Sequence, residues 1–168
     1  MSGAIDKVSV FISYSWDNVG HGNRVKELVQ TLKANDIHAI YDGDLKLGER
    51  FPEFMEKSII ESDYVLCICT PEYKVKADSR SNGGVGYETS IITGELVLKH
   101  NEIKYIPILF NGTWNDLPAW AIGKRGVNLS DYFTYQDELE LLISHLKNNT
   151  LPKGENNDMQ KIDKISLV

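Results

Sequence analysis

The chain has 168 residues, 42% hydrophobic and 25% charged, with a formal net charge of −6 from 18 basic and 24 acidic side chains. That length and mix suit one compact domain with a short extension, able to bury roughly 70% of its unfolded surface without metal or disulfide staples. The acidic balance, without a basic cluster, argues against a phosphate-tracking nucleic-acid groove. No apolar run approaches the roughly 20 residues that span a bilayer, so a soluble, cytoplasmic protein with no nucleic-acid or membrane partner is expected.

Apolar runs bounded by turn signals alternate with helical periodicity along the chain, the pattern of an α/β domain with a parallel sheet. Val8 to Tyr14 (VSVFISY) reads as a first strand, and Val25, Leu28, Val29 and Leu32 recur at helical spacing from about Asn23 to Asn35. Ile37 to Tyr41 is a second strand. After the loop DGDLKLGER, the residues Phe51, Phe54, Met55 and Ile59 mark a second helix, with Pro52 tolerated in its first turn. Tyr64 to Thr70 is a third strand, in which Cys67 and Cys69 are expected to share a buried face as reduced thiols.

The stretch PEYKVKADSRSNGG then reads as a long polar loop leading into a helix from about Val85 to Lys99. Tyr105 to Phe110 is a fourth strand, where Pro107 is expected to push the segment toward a bulge or an edge-like pairing. Arg125 to Leu129 reads as a short fifth strand, and Leu139, Leu142, Ile143 and Leu146 outline a final helix. From Thr150 the chain is polar until Ile162, Ile165, Leu167 and Val168, so a domain over residues 1–149 and a tail or linker over 150–168 are expected.

Right-handed crossovers bring the loops after parallel strands to one rim, so Ser13 to Asn18, Asp42 to Arg50 and Pro71 to Glu88 should converge there. Simpler readings stand beside this one. Glu88 near a helix start is where the dipole favours any acidic side chain, SYSWDN suits a turn capped by Asp17 or Asn18, and Lys46 suits a solvated loop. GGVGYE lacks the third glycine of a dinucleotide fingerprint and does not directly follow a strand. There is no nucleophile elbow, no H-E-x-x-H and no Walker-type phosphate loop. The pair Asp42 and Asp44 resembles the D-x-D of haloacid dehalogenase-type phosphatases, yet it follows the second strand and lacks the paired acidic motif that would complete a magnesium site.

Four segments in order carry a specific resemblance: VFISYSWDN, DGDLKLG, SDYVLCICTPEY and GGVGYETSIITGEL. Together they resemble a Toll/interleukin-1 receptor (TIR) domain, in wording nearest the bacterial branch that overlaps with SEFIR domains, over about Lys7 to Lys147. The resemblance implies a flavodoxin-like fold, a five-stranded parallel sheet flanked by helices. It also implies one of two functions: an NAD+ glycohydrolase or cyclase of bacterial antiviral defence signalling, or a non-catalytic TIR/SEFIR adaptor.

In the enzymes of that family the catalytic group is a glutamate early in the helix after the third strand, and Glu88 matches it. The tryptophan often found four positions earlier is Gly84 here, and Tyr87 or Trp16 would supply an aromatic wall instead. The resemblance further implies that Tyr14, Ser15, Trp16, Asp44, Lys46 and Tyr87 line the nucleotide pocket. The loop Asp42 to Arg50, with Leu45, Leu47 and Gly48, would be an assembly loop for homotypic self-association, up to a filament, and a fused or associated effector domain is left open. NAD+ is then the substrate, with no cofactor and no metal required, because nicotinamide departs from a cationic precursor as a neutral group. One carboxylate suffices to stabilise the oxocarbenium-like transition state.

Overall fold

A computed structural model describes residues 7–79, 90–99 and 101–148. Five strands form one all-parallel sheet: β1 (Ser9–Ser13), β2 (His38–Ile40), β3 (Tyr64–Cys69), β4 (Tyr105–Leu109) and β5 (Val127–Asn128), in the order β2-β1-β3-β4-β5. The helices are α1 (Val19–Ala34), α2 (Phe51–Glu61), α3 (Pro71–Ser79), α4 (Gly94–Lys99) and α5 (Tyr135–Asn148). This is the parallel α/β architecture that the alternating sequence pattern predicts, and the flavodoxin-like fold that the family resemblance implies.

Strand alternation divides the core between the two faces of the sheet. Val10, Ile12, Leu66, Ile68 and Ile108 pack with Leu28 and Leu32 of α1 and Leu142 of α5. Phe11, Val65, Cys67 and Cys69 point the other way, against Met55 and Ile59 of α2, Tyr73 of α3 and Val97 of α4. Both cysteines are free thiols and share that face as expected, and burial pushes Cys69 up to about 12 and Cys67 well above its ordinary value.

Three expectations need correction. The segment after β3 is not a loop throughout, because Pro71–Ser79 is helical. Thr70 accepts the Tyr73 amide on its Oγ1 at 3.1 Å and Pro71 takes the first turn, a cap-then-proline start that the polar composition conceals. The predicted helix from Val85 to Lys99 is not continuous either: residues 90–93 are non-helical and α4 begins only at Gly94.

Pro107, finally, is neither bulged nor at an edge, for β4 pairs with β3 on one side and β5 on the other. Its carbonyl lies 2.3 Å from where a Cβ would stand on Gly126, so this residue's polar groups face the β5 side. The missing amide therefore interrupts no bond to β3, and because the β5 ladder begins only at Ile108 it interrupts none there either.

Candidate functional site

The chain order reverses between β1 and β3, which places the mouth of an open α/β sheet just beyond the carboxyl ends of those two strands. Ser13 closes β1, and its hydroxyl donates to the Ser90 carbonyl and lies 2.7 Å from the Tyr73 hydroxyl. The Tyr14 amide donates to Ser90 Oγ at 3.3 Å, and Ser90 Oγ donates back to the Tyr14 carbonyl at 2.9 Å. Ser15 lies 3.4 Å from Thr70 at the end of β3 and donates to Asp17. Strand ends β1 and β3, the start of α3 and the segment at Ser90 are thus laced together.

The Tyr14 hydroxyl donates to Asp42 Oδ1 at 2.8 Å, which ties the loop after β2 to the same mouth. Burial, then that bond to a carboxylate, raises the Tyr14 pKa above its ordinary value, so the phenol stays protonated and donates at neutral pH. Trp16 is 59% exposed and lays its ring over Gly22 of α1, where any Cβ would stand 2.4 Å from Cζ3. Asn18 caps α1, its Oδ1 accepting the His21 amide at 2.8 Å. His21 is buried, its Nε2 is 3.9 Å from Asp17 Oδ2, and burial lowers its pKa against the opposing pull of Asp17. Arg24 donates to the carbonyls of Phe110 and Leu129, both at 3.1 Å, and so holds together the chain beyond β4 and β5 on the same rim.

Of the residues singled out in the sequence, Tyr14 and Ser15 stand in this mouth, and Trp16 stands at its side with its ring against Gly22 of α1. Asp44 and Lys46 lie elsewhere, on a groove along the outer strand β2 shared with His38, Ile40, Arg50 and Phe54. Asp44 is also engaged locally, accepting the Tyr41 amide at 3.0 Å, and the Lys46 amide donates to Glu49 Oε1 at 2.7 Å. Leu45 is partly buried, Leu47 is fully exposed, and Gly48 turns the loop at φ 87°. Tyr87 and Glu88, like the tail from residue 150, lie outside the described residues.

Ser13 and Tyr73 lie within the segments that the sequence brings to the rim but were not singled out there as site residues, and Ser90 lies just outside them; a serine ending an apolar strand and a tyrosine soon after Thr70 carried the signal. Among the described residues no three His, Cys, Asp or Glu side chains group as a metal site would require, and no helix is long and apolar enough to cross a membrane.

A sheet in this strand order, with its loops gathered at the β1/β3 mouth, is the frame the TIR resemblance calls for. The chain belongs to the TIR domain family, whose model matches residues 10–143. Among solved structures it is similar to a prokaryotic SEFIR domain at 34% identity, with 83% of this chain and 99% of that chain covered and a TM-score of 0.71. It shares its fold with the TIR domain of the Toll-related receptor TRR-2 from Hydra magnipapillata at 18% identity, covering 82% and 96% of the two chains with a TM-score of 0.60. None of the curated proteins compared with the chain matches it.

Proposed function

We propose that this domain is an NAD+ glycohydrolase or cyclase that cleaves the nicotinamide–ribose bond with Glu88 as its catalytic carboxylate, acting in the cytoplasm in bacterial antiviral defence signalling. The observation that carries the reading is the junction at the β1/β3 mouth. There the backbone of Tyr14 holds the hydroxyl of Ser90, two residues beyond Glu88 in the chain, through reciprocal hydrogen bonds of 3.3 and 2.9 Å, and Ser15 stands beside it against Thr70. A carboxylate delivered to that mouth would meet the ribose of a nucleotide held in the crevice. There it would stabilise the positive charge that develops as nicotinamide leaves, and water or the adenine ring of the same molecule then attacks the sugar.

NAD+ is the substrate in this reading and no cofactor is needed, since the departing nicotinamide is neutral. Trp16 offers an exposed ring for a base or nicotinamide, while Lys46 and Asp44, on the neighbouring groove, would reach the nucleotide only if the loop after β2 closes over the mouth. The adaptor alternative draws on a different observation. Leu47 projects fully into solvent from that loop, as a contact residue for a second TIR domain would.

Purified protein incubated with NAD+ and analysed by chromatography for free nicotinamide tests the choice. The wild-type chain is expected to release nicotinamide, and Glu88→Gln is expected to lose the activity by on the order of a hundredfold or more. Wild-type turnover in Glu88→Gln overturns the role of that residue, and no release from the wild type, dilute or concentrated, leaves the adaptor reading.

A further inference from the structure

The peptide groups of Ser90 to Ile92 are held by side chains from three other parts of the fold. Ser13 donates to the Ser90 carbonyl, the Ile92 amide donates to the Tyr73 hydroxyl at 3.1 Å, and Trp120 Nε1 donates to the Ile92 carbonyl at 3.0 Å. Ser13, Tyr73, Ser90 and Ile92 are all buried, so water is no substitute partner. Each hydroxyl owns one proton. Ser13 spends its proton on Ser90, and the 2.7 Å contact between the two hydroxyls must then be Tyr73 donating to Ser13. The direction is thereby set from end to end: Ile92 amide to Tyr73, Tyr73 to Ser13, Ser13 to the Ser90 carbonyl.

We propose that Ser13 and Tyr73 are positioning residues for the reaction, whose one-way hydroxyl relay pins residues 90–92, the chain directly following the Glu88 segment, to the ends of β1 and β3. The inference rests on the reading of Glu88 as the catalytic carboxylate. The relay also explains why α4 starts late: the amide of Ile92 and the carbonyl of Ser90 are committed to side chains, and a helix through them would need both for its own turns. Neither hydroxyl is in the open mouth, so neither touches substrate. Their effect on rate passes entirely through the pinned segment.

The test compares Tyr73→Phe, Ser13→Ala and the double variant with the wild type, at a temperature where circular dichroism shows each fully folded. Amide exchange at Ile92 is expected to quicken at least tenfold in Tyr73→Phe, because that donor loses its partner. In each single variant kcat for NAD+ cleavage is expected to fall at least tenfold while KM stays within threefold. The double variant should be no worse than the poorer single one, since the two hydroxyls act as a unit. A relay serving stability alone would lower the melting temperature and leave kcat of the folded enzyme within twofold, and that result, with an active wild type, overturns the proposal. If the wild type releases no nicotinamide, the catalytic reading fails and the positioning role falls with it, an outcome seen before any variant is made. Should Tyr73→Phe fold poorly, Ser13→Ala carries the same test, because it strips the Ser90 carbonyl of its partner and leaves the Tyr73 ring in the core.

Discussion

The hydroxyl of Tyr14 donates to a carboxylate oxygen of Asp42 at 2.8 Å, joining the end of β1 to the first residue of the loop after β2. A bond of this kind to a charged acceptor, half shielded from water, contributes about 1 kcal/mol. Tyr14→Phe is expected to lower the melting temperature by roughly 2–4 °C and to speed limited proteolysis within residues 42–50. A variant with unchanged stability and an unchanged cleavage pattern would show that the loop is held by other contacts.

Gly22 and Trp16 offer a case in which two effects oppose each other. Alanine at position 22 gains about 1 kcal/mol of helix propensity, but its Cβ would stand 2.4 Å from the Trp16 ring. Because that indole is half in solvent, it can swing away while the helix stays in place. Gly22→Ala is therefore expected to keep its stability within about 1 kcal/mol of the wild type. Its Trp16 fluorescence should shift to the red, read as a difference against Trp16→Phe to set aside Trp114 and Trp120. A large loss of stability with unshifted fluorescence would mean that the helix yields and the ring does not.

Burial holds the His21 pKa below its ordinary value in the folded chain, whereas the unfolded chain takes up its proton near pH 6.5. The unfolded state thus binds more protons as the pH drops below about 6.5, and the fold loses stability there; above that pH the contribution is complete. His21→Asn should show a flatter dependence of melting temperature on pH between about 6.5 and 5 than the wild type. Parallel slopes in the two proteins would remove His21 from the account of acid sensitivity.

Leu47 carries the prediction on assembly. Burial of its exposed side chain against a second copy would contribute roughly 1.5–3 kcal/mol, enough to make association depend visibly on concentration. Specific NAD+ cleavage is expected to rise with protein concentration, and Leu47→Asp is expected to flatten that rise while leaving the melting temperature within a degree or two. Flat activity in the wild type across a wide range would show that a single domain carries the whole site.

Where a buried strand or an amphipathic helix must present apolar residues at a fixed period, the chain was legible. All five strands and helices α1, α2 and α5 follow from that constraint, and so do the five-stranded parallel sheet and the shared face of Cys67 and Cys69. What escaped is what period does not encode. In α3 only Tyr73 and Ala77 are buried, one turn apart amid charged residues, so no stripe announces the helix. The break before α4 depends on hydroxyls of Ser13 and Tyr73, 77 residues before Ser90 and 19 before Ile92, and no local window contains them. The location of Tyr14 and Ser15 at the mouth was legible, because they directly follow the first strand of a parallel sheet. Asp44 and Lys46 were placed in the same pocket by the family resemblance, and they line the adjoining groove along β2.

The outer strands of the sheet are three residues long at β2 and two at β5. An exposed strand edge is a template on which another chain can add its own backbone, and these edges offer almost none. A filament of this domain would therefore have to grow through side chains on loops and helices, each contact individually weak and open to adjustment by a single substitution. Joined that way, copies could come apart again when a signal ends, whereas strand-to-strand addition would drive them toward aggregates that do not.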